Sequence, residues 1–272
     1  MSGENIKVTA SQRMEIVKQK ARPNIVDYIS YLFDDFIELR GDRCFGDDQA
    51  ILSGIARFGD LPVTVIGHHK GKNTQENIDY NFAMAHPEGY RKAVRLMKQA
   101  EKFHRPVICF VDTPGAYCGI GAEERGQGEA IANALQVMMA LETPIITVVT
   151  GEGGSGGALG LAVANRVFML ENAVYSVISP KGFASILWKD ASREKEAAEL
   201  LKMTAQDLYG AGIIDGIIPE PEEGAHKDIK RICRNMEMVL KGELQVLITL
   251  SGKELARLRY KKFRKMGVFA EI

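Results

Sequence analysis

Glycine constrains this chain more than any other residue. Residues 151–157 read Gly-Glu-Gly-Gly-Ser-Gly-Gly and follow directly on the β-branched stretch 145–149. A strand that ends in small residues can turn sharply and lets its backbone come close to another segment or to a ligand. The same grammar recurs elsewhere. The apolar run 107–111 leads into Asp112-Thr113-Pro114-Gly115-Ala116-Tyr117, and the runs 167–170 and 175–178, expected to pair across a turn at Leu170-Glu171-Asn172-Ala173, lead into Ser179-Pro180-Lys181-Gly182. Helical patterns follow: one near 123–139, a short Ala/Leu/Val helix reaching Asn165, and one that carries Ile186 and Trp188. Strand, glycine turn and helix in repetition predict an α/β chain of short parallel units, layered, with the turns gathered on one edge.

The flanking segments read differently. Residues 1–21 are polar and helix-prone, the pattern of a loosely held arm. Pro23 and Asn24 open a helix whose apolar face is Ile25, Tyr28, Ile29, Leu32, Phe33, Phe36 and Ile37, with Gly41 as its stop. That face packs on its own domain or docks on a partner. The runs 51–58 and 62–68, joined through Gly59-Asp60, predict a hairpin. His68 and His69 end it, but no carboxylate or third histidine stands nearby at ligand spacing, so no metal site is expected. Pro87 starts a helix through Phe103, with Ala93, Met97 and Ala100 facing inward. The last stretch sets Lys253, Arg257, Arg259, Lys261, Lys262, Arg264 and Lys265 beside Leu255, Leu258 and Phe263, which reads first as a solvated amphipathic helix. The expected division is an N-terminal helical arm (1–50), a core domain (51–220) and a C-terminal helical extension (221–272).

Composition excludes some classes. Lys plus Arg number 35 and Asp plus Glu number 35, a neutral balance unlike that of a chain built to coat nucleic acid. Cys44, Cys109, Cys118 and Cys233 are scattered without a C-x-x-C pair, so they read as reduced thiols and not as a zinc site. The first residues lack the apolar centre of a signal peptide. No apolar run approaches the ~20 residues that span a bilayer. A cytoplasmic protein with neither nucleic-acid nor membrane partners is the expectation.

Three chemistries fit the run 151–157. Gly151-x-Gly153-x-x-Gly156, with Glu171 roughly twenty positions on, fits the dinucleotide fingerprint of an NAD-dependent oxidoreductase. Against it, a long helix-and-hairpin segment precedes the fingerprint strand. Gly153-x-Ser155-x-Gly157 fits the nucleophile elbow of a serine hydrolase, although only His226 follows in the chain order such enzymes use. The third reading needs only the glycines: backbone amides that point into a cavity at a helix start and stabilise developing negative charge. Gly115-Ala116 offers a second such turn at the end of the preceding strand. For one turn close packing is the simpler reading, but two on neighbouring strands favour a pair of amide sites.

The residues also carry a resemblance. The runs D-T-P-G-A-Y-x-G-x-G-A-E-E-R-G-Q (112–127), G-E-G-G-S-G-G-A-L (151–159) and Y-S-V-I-S-P-x-G-x-A-S-I-L-W-K-D (175–190) closely resemble the carboxyltransferase alpha subunits of multi-subunit acetyl-CoA carboxylases. F-x-E-L-R-G-D-R (36–43), P-E-G-Y-R-K-A (87–93) and I-I-P-E-P-x-x-G-A-H (217–226) extend the match to roughly residues 22–228. Cys118, Lys181 and Phe183 fall in variable slots of these motifs.

The resemblance implies a crotonase-like fold (the ClpP/crotonase superfamily) of stacked ββα units. It implies carboxyl transfer from biotin, carried covalently on a biotin carboxyl carrier protein, to acetyl-CoA, giving malonyl-CoA for fatty-acid synthesis. The site would lie between this chain and a beta subunit, in an alpha2beta2 assembly, with zinc and most of the acyl-CoA site on beta. ATP would be consumed by a partner biotin carboxylase and not bound here. By the same resemblance Gly156, Gly157 and Ala158 stabilise the biotin-derived oxyanion, with Gly115 and Ala116 as the second turn. Gly153, Gly154 and Ser155 are the biotin-contacting candidates. Arg125 and Glu152 lie close to the turns and either contact ligand or shape the site by ion pairing. The basic C-terminal helix gains a second reading, contact with CoA phosphate or a partner. A branched residue at Gly157 is then expected to cut transfer while leaving the fold intact.

Overall fold

The runs 107–111 and 145–149 are apolar at nearly every position, which suits strands covered on both faces. They become β4 (Val107–Thr113) and β5 (Ile145–Gly154), parallel neighbours in the middle of an eight-stranded sheet. The computed structural model describes residues 8–267. The remaining strands are β1 (Asp34–Glu38), β2 (Ile51–Phe58), β3 (Leu61–His68), β6 (Arg166–Leu170), β7 (Val174–Ser176) and β8 (Gly216–Ile218). The order is β1-β2-β3-β4-β5-β6-β8, with β7 also on β5. From β3 onward all pairings are parallel.

The hairpin forms as predicted: Phe58 faces Leu61 across Gly59-Asp60, and Ile51 faces His68. Helices α4 (Pro87–Lys102) and α6 (Gln127–Ala140) pack together, as do α2 (Ile25–Leu32) and α11 (Ile229–Leu247). Ala93, Met97 and Ala100 are buried on α4 as expected. The shorter helices are α1 (Ala10–Val17), α3 (Thr74–Asp79), α5 (Ile120–Glu124), α7 (Ser155–Leu159), α8 (Pro180–Trp188), α9 (Glu194–Leu200) and α10 (Ala205–Gly210), and α12 (Gly252–Arg264) follows α11. One buried cluster joins Ile25 and Tyr28 to the sheet and to Leu244 and Leu255.

Five expectations change. The helix that opens at Asn24 stops at Leu32, not Gly41: Phe33 is extended (φ −130°, ψ 148°) and residues 34–38 pair with β2. Phe33 serves the core better off the helix, its ring lying 5.6 Å from Phe58 and 6.3 Å from Phe110. The described part of the N-terminal arm is docked, not loose. A Thr9–Gln12 capping box starts α1, and the Arg13 guanidinium donates to Glu171 O and to Asn172 Oδ1 at 2.7 Å each. The helix near 123–139 is two helices, broken at Gly126, whose φ of +81° no helix interior accepts. The runs 167–170 and 175–178 do not pair with each other; β6 and β7 lie in turn along the first and second parts of β5. On α12, Arg259 is fully buried and not solvated. It donates to the carbonyls of Met138, Leu141 and Thr143 and to Asn165 Oδ1, tying the helix to the base of the sheet.

A buried polar chain holds the arm to the last strand. Arg22 grips Glu220 with both Nη atoms (3.0 and 2.6 Å) and donates from Nε to Thr150 O. Asn172 donates to the same carboxylate from N and Nδ2. Burial alone would raise the Glu220 carboxyl, but Arg22 and Asn172 outweigh it and hold it below the ordinary range. The folded state therefore resists protonation, so this stabilisation is present above the unfolded carboxyl value and is lost as pH falls through the folded one. In Arg22→Leu the carboxylate loses its buried partner, and we expect a loss of about 3–5 kcal/mol at pH 7 in urea unfolding. The orphaned carboxyl then titrates upward, so the deficit should shrink at pH 5; a deficit that grows on acidification contradicts this account.

Candidate functional site: two interlocked glycine turns

β4 and β5 run in register from Val107↔Ile145 to Val111↔Val149 and then slip, because the next pair is Thr113↔Gly153. Two steps along β4 are matched by four along β5, so β5 bulges at Thr150-Gly151-Glu152. The strand thus continues through Gly154, where the sequence placed a loop from Gly151. Asp112 fills the gap. Its Oδ1 accepts from Glu152 N (2.9 Å) and from Lys70 Nζ (3.3 Å), and a Cβ on Gly151 would overlap its carboxylate. Thr150 Oγ1 donates to Val111 O and Arg22 Nε to Thr150 O, so side chains satisfy backbone groups that the slipped ladder cannot. Lys70 Nζ also meets Glu152 Oε2 at 2.8 Å. Burial would lower the Lys70 ammonium, but Asp112 and Glu152 more than offset it and keep it charged.

The bulge carries the glycines across the end of β4. A Cβ on Gly154 would overlap the Pro114 carbonyl, and one on Gly157 would overlap Ala116 N and the Gly115 carbonyl carbon. The two turns predicted from sequence therefore touch, backbone against backbone. Gly153 packs beneath the Tyr175 ring. Gly157 has no left-handed φ, so it is glycine for want of space and not for its conformation. The expectation that a branched residue there spares the fold is overturned, because a methyl group already collides with main chain.

The candidate donors are unequal. Gly115 N is engaged by Thr113 Oγ1 (3.1 Å), which itself donates to Gly115 O (2.7 Å). Tyr117 N donates to Ala85 O. Ala116 N makes no hydrogen bond among the described residues. Helix α7 starts after Gly154, and the first amides of a helix lack intrahelical acceptors; Ala158 is the first residue four positions beyond an acceptor, Gly154 O. The open amides are thus those of Ser155, Gly156, Gly157 and Ala116. Ser155 is exposed at a φ of 48°. It lines both a cavity of about 200 Å³ shared with Pro114, Glu152 and Ser179 and an apolar one of about 460 Å³ shared with Gly156, Tyr175 and Phe263.

Arg125 pairs with Glu88 at 2.7 Å and lies over the Phe45 ring, and Glu152 is held by Lys70, so both flanking charges shape the site through ion pairs. The sequence reading missed Lys70, Asp112 and Thr113 as the residues that fix the turns. The available signal was polar Asp112-Thr113 closing an otherwise apolar strand. Exposed apolar side chains flank the region: Ile120 (80%), Val177 (78%) and Leu187 (61%).

The competing chemistries lose their geometry. From β2 to β6 the strands lie side by side in chain order, with no reversal to open a dinucleotide crevice. Glu171 Oε2 accepts from Glu220 N instead of facing a ribose. No imidazole hydrogen-bonds the Ser155 hydroxyl among the described residues. His68 is buried and pushed down to about 4 by burial, and His69 stacks on Tyr80.

The profile of the family described as acetyl co-enzyme A carboxylase carboxyltransferase-like matches residues 4–267. A relative in Clostridium acetobutylicum is 58% identical over 97% of this chain and 96% of its own length, and one in Geobacillus is 57% identical over 97% and 81%. Both are named acetyl-coenzyme A carboxylase carboxyl transferase subunit alpha. Among solved structures, transcarboxylase 12S superposes with a TM-score of 0.65 at 18% identity, over 88% of this chain and 46% of that one. The beta subunit of geranyl-CoA carboxylase from P. aeruginosa also gives 0.65, at 15% identity over 97% and 48%. The chain spans about half the length of these two structures, which share its crotonase-like fold.

Gly156 separates the two uses of glycine, since a Cβ there meets only Ile131, at 3.7 Å. Gly156→Ala should melt at or near the wild-type temperature. Gly157→Ala should lose about 1–3 kcal/mol, the range for forcing a methyl group into packed surroundings. Equal melting temperatures for the two variants would show that the turns are not in contact.

Proposed function

The chain belongs to the acetyl-CoA carboxylase carboxyltransferase family, and on that premise we propose that it works as the alpha subunit, moving a carboxyl group from carrier-bound biotin to acetyl-CoA. The observation that carries this reading is the pair of touching turns with open amides, whose adjoining carboxylates, Asp112 and Glu152, are both held by Lys70. Carboxybiotin supplies the carboxyl group and, once that has left, a ureido nitrogen able to take the proton from the acetyl-CoA methyl. The resulting carbon nucleophile forms the new C–C bond to the released CO2, giving malonyl-CoA. No step needs a side-chain base from this chain. What it must supply is stabilisation of charge on two oxygens.

Gly156 and Gly157 present N–H groups at the start of α7, the arrangement that fits a ureido oxygen. Ala158, fully buried and with Gly154 O in reach of its N–H, backs this pair inside the helix. Ala116 is the open donor of the second turn, while Gly115 shapes that turn with Thr113. Gly153 and Gly154 bring the strand end close, and Ser155 borders the cavities on either side. Donors fixed in advance cost no reorganisation when charge develops, and each contributes about 10²–10³ in rate.

A separate beta subunit completes the site in this reading, covering the exposed Ile120, Val177 and Leu187. It brings the zinc and most of the acyl-CoA contacts, in an alpha2beta2 assembly. The biotin carboxyl carrier protein delivers biotin, and biotin carboxylase, which consumes the ATP, recharges it. The setting is the cytoplasm. No helix among the described residues is long and apolar enough to cross a membrane. The isolated chain should show negligible malonyl-CoA decarboxylation with free biotin as acceptor, and activity should appear on adding the beta subunit. Full turnover by the chain alone would sink the proposal.

A further inference from the structure

Behind the amide turn stand two buried polar side chains that the reaction above does not use. Tyr90, on α4, is fully buried, and its ring lies against Gly160, where a Cβ would come within 2.9 Å of it. Its hydroxyl donates to Gly157 O at 3.4 Å, and among the described residues this is the only hydrogen bond to that carbonyl. His68, at the end of β3, is 1% exposed, and neither ring nitrogen has a partner in hydrogen-bonding geometry. Its ring lies against the backbone of Gly157 and Phe110, with Asp112 the charged group nearby. Burial keeps it neutral, with one N–H to give. A buried donor with no acceptor costs free energy, and this one stands directly behind the amide turn.

The neighbouring carbonyls of α7 are spent inside the turn: Gly156 O accepts from Gly160 N (3.0 Å) and Ala158 O from Leu161 N (3.1 Å). Gly157 O is the one left to side chains. In a helix start the carbonyls point away from the amides, so a donor on the Gly157 carbonyl anchors the turn from the side opposite the bound oxygen. We propose that Tyr90 and His68 are positioning residues for carboxyl transfer that act together through the Gly157 carbonyl. Tyr90 holds that oxygen in the resting turn. A small rotation of the imidazole brings the His68 N–H onto the same oxygen when charge builds at the amides in front. Neither residue touches the substrate. The inference rests on the function proposed above.

The test uses the assembled alpha–beta complex with malonyl-CoA and biotin, comparing wild type with Tyr90→Phe, His68→Leu, His68→Gln and the Tyr90→Phe/His68→Leu double variant. Each of Tyr90→Phe and His68→Leu should lower kcat about 3- to 10-fold, the worth of one neutral hydrogen bond, with KM for malonyl-CoA unchanged. The double variant should be little worse than the poorer single one, because both act through one oxygen. His68→Gln keeps an N–H donor and should recover most of the loss. Unchanged kcat in Tyr90→Phe, or single effects that multiply in the double variant, would overturn the proposal. If His68→Leu fails to assemble, Tyr90→Phe and His68→Gln still decide it: a fall in kcat for the first without the second supports it, and any other pattern overturns it. An inactive wild-type complex would instead refute the function itself, and this inference with it.

Discussion

The structure depends on one side chain filling one gap. Where β5 gains two residues over β4, the parallel ladder breaks, and Asp112 bonds the displaced Glu152 amide in its place. The cost of holding that carboxylate away from water is offset by Lys70, which it shares with Glu152. Without the slip, β5 would leave the sheet level with the end of β4 and the two turns would stand apart. With it, Gly154 and Gly157 are drawn onto Pro114, Gly115 and Ala116. A bulge re-aims backbone, and here it sets the main chain of one turn against that of the other.

That arrangement explains why glycine is needed at adjacent positions for unrelated reasons. Gly151 yields to the Asp112 carboxylate, Gly153 to the Tyr175 ring, and Gly154 and Gly157 to main chain of the other turn. Gly156 has room for a methyl group, so its lack of a side chain leaves the cavity open without serving the packing. Helix α7 has five residues and little stability of its own. Its position is imposed by β5 ahead of it and by α4 behind it, through Tyr90. The turn is held from both sides.

Much of this was legible in the sequence. Continuous apolar runs before glycine marked the parallel strands, Gly59-Asp60 marked the hairpin, and the spacing from Pro87 marked α4. The motif resemblance named the family and its fold. What stayed hidden involves partners distant in sequence. Residues 33–38 keep a helical apolar period, yet Phe33 gains more from Phe58 and Phe110 than from another helical turn, and the strand wins. Arg259 looks like one more charge on a solvated face until four carbonyl-rich contacts on α6 and beyond enclose it. The glycine run gave the right location and an incomplete reason: the sequence showed that amides could be exposed there. It did not show that Thr113 occupies Gly115, or that a Cβ at Gly157 meets the other turn.

The central claim is that main-chain amides of the touching turns hold the oxygen on which charge develops. A crystal structure of the alpha–beta complex with biotin bound would test it most directly. The account expects the ureido oxygen within about 2.7–3.1 Å of the amides of Gly156 and Gly157, the spacing of an oxyanion donor, with no side chain of this chain in the same role. A ureido oxygen held instead by a side chain, with those two amides facing water, would contradict it.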